Sequence, residues 1–109
     1  MNESEELNVI MRKARKMFDD ERLDSSQKNI FFFLYEYNEY YTLNCLIKYS
    51  WSDGCSIENS RYADSQRDKV EKVAFEIYKM LSNSDLHWCD VPRDDLSWGR
   101  EFKIMKDIK

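Results

Sequence analysis

Apolar positions along this chain follow two rhythms. Leu7, Ile10, Met11, Ala14, Met17 and Phe18 recur at steps of three and four, the period of an amphipathic helix, which predicts a helix over residues 2–22. Val70, Val73, Ala74, Ile77, Tyr78 and Leu81 repeat that spacing and predict a second helix from Asp64 or Ser65 to about Leu81. Between them, from Asn29 to Asn59, aromatic and β-branched residues concentrate and the period falls to two. Tyr41, Leu43, Cys45, Ile47, Tyr49 and Trp51 share one face of a strand; Thr42, Asn44, Lys48 and Ser50, with Leu46 as the exception, share the other. The stretch reads as a three-stranded antiparallel meander.

Turn residues set its register. A three-residue loop of Ser52, Asp53 and Gly54 places Trp51 opposite Cys55 and Tyr49 opposite Ile57. A turn at Asn38 and Glu39 pairs Tyr37 with Tyr40, Leu34 with Leu43 and Phe32 with Cys45, which gathers the apolar rows on one face. The opposite face still carries Phe31, Phe33, Tyr35, Tyr37, Tyr40 and Leu46. Either a helix or the C-terminal segment covers it, or it meets a partner, with the tyrosines as anchors of broad apolar area.

Asn2 or Ser4 can cap the first helix, where Glu3, Glu5 and Glu6 suit the positive end of its dipole. Arg12, Lys13, Arg15 and Lys16 on its outer side read as a solvated face. The polar stretch Asp19–Gln27 is a loop into the first strand, and Asn83 can end the second helix in a left-handed conformation. In the tail, Leu86–Val91 reads as a short strand stopped by Pro92, and Glu101–Lys106, with Phe102 and Ile104 alternating against Lys103 and Met105, as an edge strand. The loop between them carries Asp90, Asp94 and Asp95 beside Trp88 and Trp98. The expected architecture is one α+β domain over residues 1–109 in the order α-β-β-β-α-(β)-β, with a sheet of three to five strands. Both helices should lie on the face of Phe32, Leu43, Ile47 and Tyr49.

Composition narrows the function. Hydrophobic residues at 42% and aromatics at 15% support a packed core despite 35% charged residues. The net charge of -4 argues against direct nucleic-acid binding and favours a basic partner. Three cysteines without a secretory leader point to free thiols and a cytoplasmic location, and no apolar run is long enough to span a membrane. A monomer is expected, a homodimer being the alternative.

Candidate chemistry is sparse. His87 and Cys89 could share a strand face beside Asp90, but no third group is aligned with them. Asp19, Asp20 and Glu21 lack the spaced donors and central glycine of a calcium loop, and Cys45 and Cys55 read as small core residues. No cofactor, metal site or enzymatic activity is expected.

Small size, acidity, and a surface of aromatic and acidic residues without a catalytic motif resemble bacterial immunity proteins, such as those of contact-dependent growth inhibition. That resemblance implies a binding protein that neutralises a cognate toxin, frequently a basic nuclease, by covering an essential surface. Trp88, Asp90, Asp94, Asp95 and Trp98, with Tyr35, Tyr37 and Tyr40, are the candidate partner-binding residues. Acidic secretion chaperones that bind an effector share the small α+β build and would dimerise through the helix Asp64–Leu81. A small enzyme is the third reading.

Overall fold

The structure, a computed structural model, describes residues 3–24, 30–48, 61, 64–91 and 97–106. Helix α1 spans Glu3–Asp20, and Ser4 lies inside it rather than capping it; Asn2 is outside the described residues. Its C-terminus closes by a Schellman motif. Leu23 N donates to Phe18 O (3.2 Å) and Arg22 N to Asp19 O (2.9 Å), with Arg22 in the left-handed region at φ 57°. Phe18 and Leu23, the residues that bracket the motif, are both buried in the core.

Helix α2 spans Arg67–Ser82; Asp64 and Ser65 precede it in a helical turn interrupted at Gln66. The left-handed ending expected at Asn83 does not occur, since its φ is -94°. The last carbonyls find other donors: Asn83 N donates to Lys79 O at 3.1 Å, and Ser84 Oγ and Trp88 Nε1 donate to Leu81 O at 2.6 and 3.1 Å. With those acceptors satisfied, no left-handed turn is required.

Strands β1 (Ile30–Glu36), β2 (Tyr40–Lys48), β3 (Trp88–Asp90) and β4 (Ser97–Met105) form an antiparallel sheet in the order β1-β2-β4-β3 among the described residues. The register expected for the first hairpin is the one found: Phe32 opposes Cys45, Leu34 opposes Leu43, and Tyr37 N donates to Tyr40 O. Two expectations need correction. The C-terminal strand is not an edge strand and begins at Ser97 rather than Glu101, so part of the expected loop is strand. It lies between β2 and β3, pairing Leu43 with Phe102 and Tyr41 with Ile104. It therefore takes the side of β2 that the meander assigned to residues 55–59. The pairs Trp51–Cys55 and Tyr49–Ile57, and the turn at 52–54, lie outside the described residues.

Both helices pack on the expected face. Its rows are Ile30 and Phe32 on β1, Tyr41, Leu43, Cys45 and Ile47 on β2, and Phe102 and Ile104 on β4, all buried with Leu7, Ile10, Ala14 and Phe18 of α1 and Val70, Val73, Ala74, Ile77 and Leu81 of α2. Phe18 stacks on Phe32 at 4.6 Å, and the Cys45 thiol faces Val70 O at 3.9 Å. Lys72 Nζ meets the Glu21 carboxylate at 2.7 Å and holds its pKa below the ordinary value, pinning the end of α1 to α2.

Gly99 is placed by backbone proximity. It sits opposite Leu46 at φ +93°, where a Cβ would run into Cys45 O and come within 2.7 Å of Leu46 Cα. Its N–H points to the β3 side of β4, beyond the pair Asp90–Phe102, and donates to Glu71 Oε1 at 2.8 Å.

Two substitutions check this packing by urea denaturation. Leu43→Ala removes a fully buried side chain at the centre of the sheet and should cost about 2–5 kcal/mol. Gly99→Ala should cost more than about 1 kcal/mol, because both its φ and the Cβ space are wrong for alanine.

Candidate protein-binding surface

The period of two that sends Phe32 and Leu43 inward sends a second aromatic row outward. On β1 the outward residues are Phe31, Phe33 and Tyr35, continued by Tyr37 at the turn. Phe33 touches Phe31 edge-on at 5.9 Å and Tyr35 at 4.5 Å. Across the turn, Tyr37 stacks on Tyr40 at 4.7 Å, and Lys103 Nζ lies 4.4 Å over the Tyr40 ring. Met105 pairs with Tyr40 and extends the patch onto β4.

Exposure is greatest around Tyr35 and Tyr37, Tyr40 being half-buried. Phe31 and Phe33 are half-buried, whereas Tyr35 is 55% exposed, Tyr37 46% and Met105 38%. Leu46, the one apolar residue on the polar side of β2, is buried on this face opposite Phe31 and lies outside the core cluster. On the core-facing side of that end of the sheet, Lys106 Nζ meets Glu36 Oε1 at 2.7 Å and lies 4.9 Å over the Tyr41 ring. The structure thus brings Tyr35, Tyr37 and Tyr40 together at one end of the sheet.

It does not bring the tryptophans together. Trp88 opposes Ile104 on β4, and Trp98 is six residues further along that strand, which at about 3.3 Å per residue is roughly 20 Å away. Trp88 is half-buried, edge-on to Phe102 and Tyr78, with its indole N–H on Leu81 O. Trp98 is partly buried beneath the Arg67 guanidinium, 5.2 Å from its ring centroid. Asp90 is paired with Arg100 at 2.9 Å. Asp94 and Asp95 lie outside the described residues.

The candidate nucleophiles separate by environment. Cys89 is exposed on β3, and no hydrogen bond joins it to His87 among the described residues. Cys45 is buried, and desolvation, reinforced by the Glu71 carboxylate, pushes its thiol from an ordinary 9.0 up to about 12. Among the described residues no group of three or more His, Cys, Asp or Glu side chains could hold a metal ion. No helix of the described residues is long and apolar enough to cross a membrane.

Sequence reasoning missed Met105 as part of the patch, although its place beside Tyr40 follows once β4 is known to pair with β2.

The thiol environments are testable. Iodoacetamide at neutral pH should alkylate Cys89 and leave Cys45 intact until the chain unfolds, as read by peptide mass mapping. The folded chain keeps the Cys45 proton where the unfolded chain releases it. Its stabilisation is therefore complete below pH 9.0 and is lost as pH rises toward about 12. Between about pH 8 and about pH 10.5 the urea midpoint of the wild type should fall further than that of Cys45→Ala.

The chain matches no protein-family model, no curated protein and no solved structure.

Proposed function

We propose that this chain is a small acidic binding protein of the immunity type, which neutralises a basic toxin domain by covering it with the outer face of the sheet. One observation carries the reading. Exposed tyrosines and Met105 converge at one end of a sheet whose core-facing rows are already occupied by both helices. Monomeric proteins seldom leave contiguous aromatic surface open without a partner for it. Tyrosine supplies wide contact area and a hydroxyl while losing little side-chain freedom, which is why it anchors interfaces.

Net charge supplies the partner's chemistry. At -4 the chain attracts a basic domain, and such steering raises the association rate more than it deepens affinity. Asp94 and Asp95 then contribute through charge rather than by tryptophan contact, Asp90 being already paired with Arg100. The secretion-chaperone reading would place Phe75, which is 50% exposed on α2, in a dimer contact.

The test uses the intact chain as bait in an extract of its source cells, with variants run beside it. A Tyr35→Ala, Tyr37→Ala double variant should stay folded, since exposed substitutions usually alter stability by less than about 0.5 kcal/mol. It should lose at least about tenfold in affinity for the retained protein, equivalent to about 1.4 kcal/mol. Wild-type affinity in that variant would remove the tyrosine surface from the proposal. Association of the retained partner should slow between low and physiological ionic strength, measured by stopped flow; a flat response would exclude a basic partner.

A further inference from the structure

The arrangement of layers leaves space beside β1. Helices pack about 8–10 Å apart and strands about 4.7–4.9 Å, so two helices span about four strands only if they are centred on them. Helix α2 lies across β2 and β4, in the middle of the sheet, and α1 packs beside it with Phe18 on Phe32 of β1. One helix spacing from α2 toward β1 puts α1 over β1, with its outer side along the sheet edge. An open groove of about 800 Å³ lies there, lined by residues that include Glu5, Val9, Met11, Arg12, Arg15 and Phe32.

Phe32 closes the groove on its sheet side, and the outer edge of β1 beside it pairs with no strand among the described residues. Because Tyr37 bonds Tyr40, the odd-numbered residues of β1 bond β2, and the N–H and C=O groups of Ile30, Phe32, Leu34 and Glu36 point away from it. No strand pairs with that side among the described residues. The edge, IFFFLYE, has neither the lysine nor the proline that commonly blunts such strands. Over the groove, Arg15 lies 5.7 Å from the Phe32 ring centroid and pairs with Asp19, whereas Arg12 is exposed and has no ion pair among the described residues.

We infer that β1 accepts an extended segment of a partner protein as an added edge strand, whose inward side chains enter the groove beneath α1 as apolar residues flanking one carboxylate. Main-chain bonds to Phe32 and Leu34 supply the pairing, and the groove selects alternate side chains. Val9, Met11 and Phe32 receive the apolar ones, and Arg12 receives the carboxylate. A second copy fits poorly, because two-fold pairing of β1 with its symmetry mate brings the two α1 helices closer together than helices pack. This surface is separate from the tyrosine face, and either can fail without the other.

The test uses the full chain, labelled with ¹⁵N, and a blocked peptide Thr-Val-Thr-Glu-Thr-Val-Thr as probe. In the free chain the amides of Phe32 and Leu34 should exchange with solvent at least about tenfold faster than those of Phe31 and Phe33. Equal protection would mean that the edge is already covered, by the chain itself or, if sedimentation shows a dimer, by a second copy; either overturns the inference. The peptide should slow exchange at Phe32 and Leu34. Its binding should weaken at least about tenfold on Arg12→Glu, or when lysine replaces its glutamate. Absence of protection at millimolar peptide, or protection indifferent to both charge changes, would also overturn it.

Discussion

The row Tyr41, Leu43, Cys45 and Ile47 on one face of β2 is the contact on which the rest of the molecule depends. β2 has a strand on each side, so this row is flanked by Ile30 and Phe32 of β1 and by Phe102 and Ile104 of β4, with α2 directly above it. Its burial is complete at Leu43, Cys45 and Ile47, and the close approach of Gly99 to Cys45 and Leu46 fixes where β4 lies. Once these residues face inward, strand parity forces Phe31, Phe33 and Tyr35 to the opposite face. The exposed aromatic surface is thus a consequence of how the core is built.

Much of this was legible in sequence because alternation and helical spacing report faces directly. The six-residue stripe of α1, the stripe of α2 and the first hairpin's register all follow from which positions are apolar. Adjacency is another matter. Phe102 and Ile104 alternate with polar residues in the way an edge strand would, yet the same pattern serves a central strand with one buried face. A period of two records that a face is covered and is silent on how many neighbours the strand has. The helix ends show the same limit. Arg22, a poor candidate for φ > 0, adopts it because Phe18 and Leu23 are both drawn into the core, whereas Asn83 is relieved of it by Ser84 and Trp88.

The candidate surface was legible in part for related reasons. Tyr35, Tyr37 and Tyr40 are linked by one hairpin, so local register places them. Trp88 and Trp98 are linked only through β4, whose position no local signal gives. Trp88 also illustrates why a tryptophan near an acidic loop is a poor guide to exposure. Its indole needs an acceptor, and the open carbonyl of Leu81 at the end of α2 supplies one inside the fold.

Charge and aromatic surface are coupled throughout. Arg15 lies over Phe18 and Phe32, Arg67 over Trp98, Arg100 over Tyr78, Lys103 over Tyr40 and Lys106 over Tyr41. Cations in these positions cover ring faces that would otherwise meet water, and their stems add apolar contact. The rings are neutral and leave each cation's charge intact, so the field at a distance follows the net charge of -4. Along β1 the aromatic type changes with exposure, from half-buried Phe31 and Phe33 to exposed Tyr35 and Tyr37. A phenol hydroxyl keeps a hydrogen bond to water while the ring packs against its neighbours, which suits tyrosine to the open end of the sheet. Phenylalanine at Tyr35 and Tyr37 would keep the contact area and lose that tolerance of water. In the proposed function their hydroxyls suit a surface that is wet when free and dry when bound.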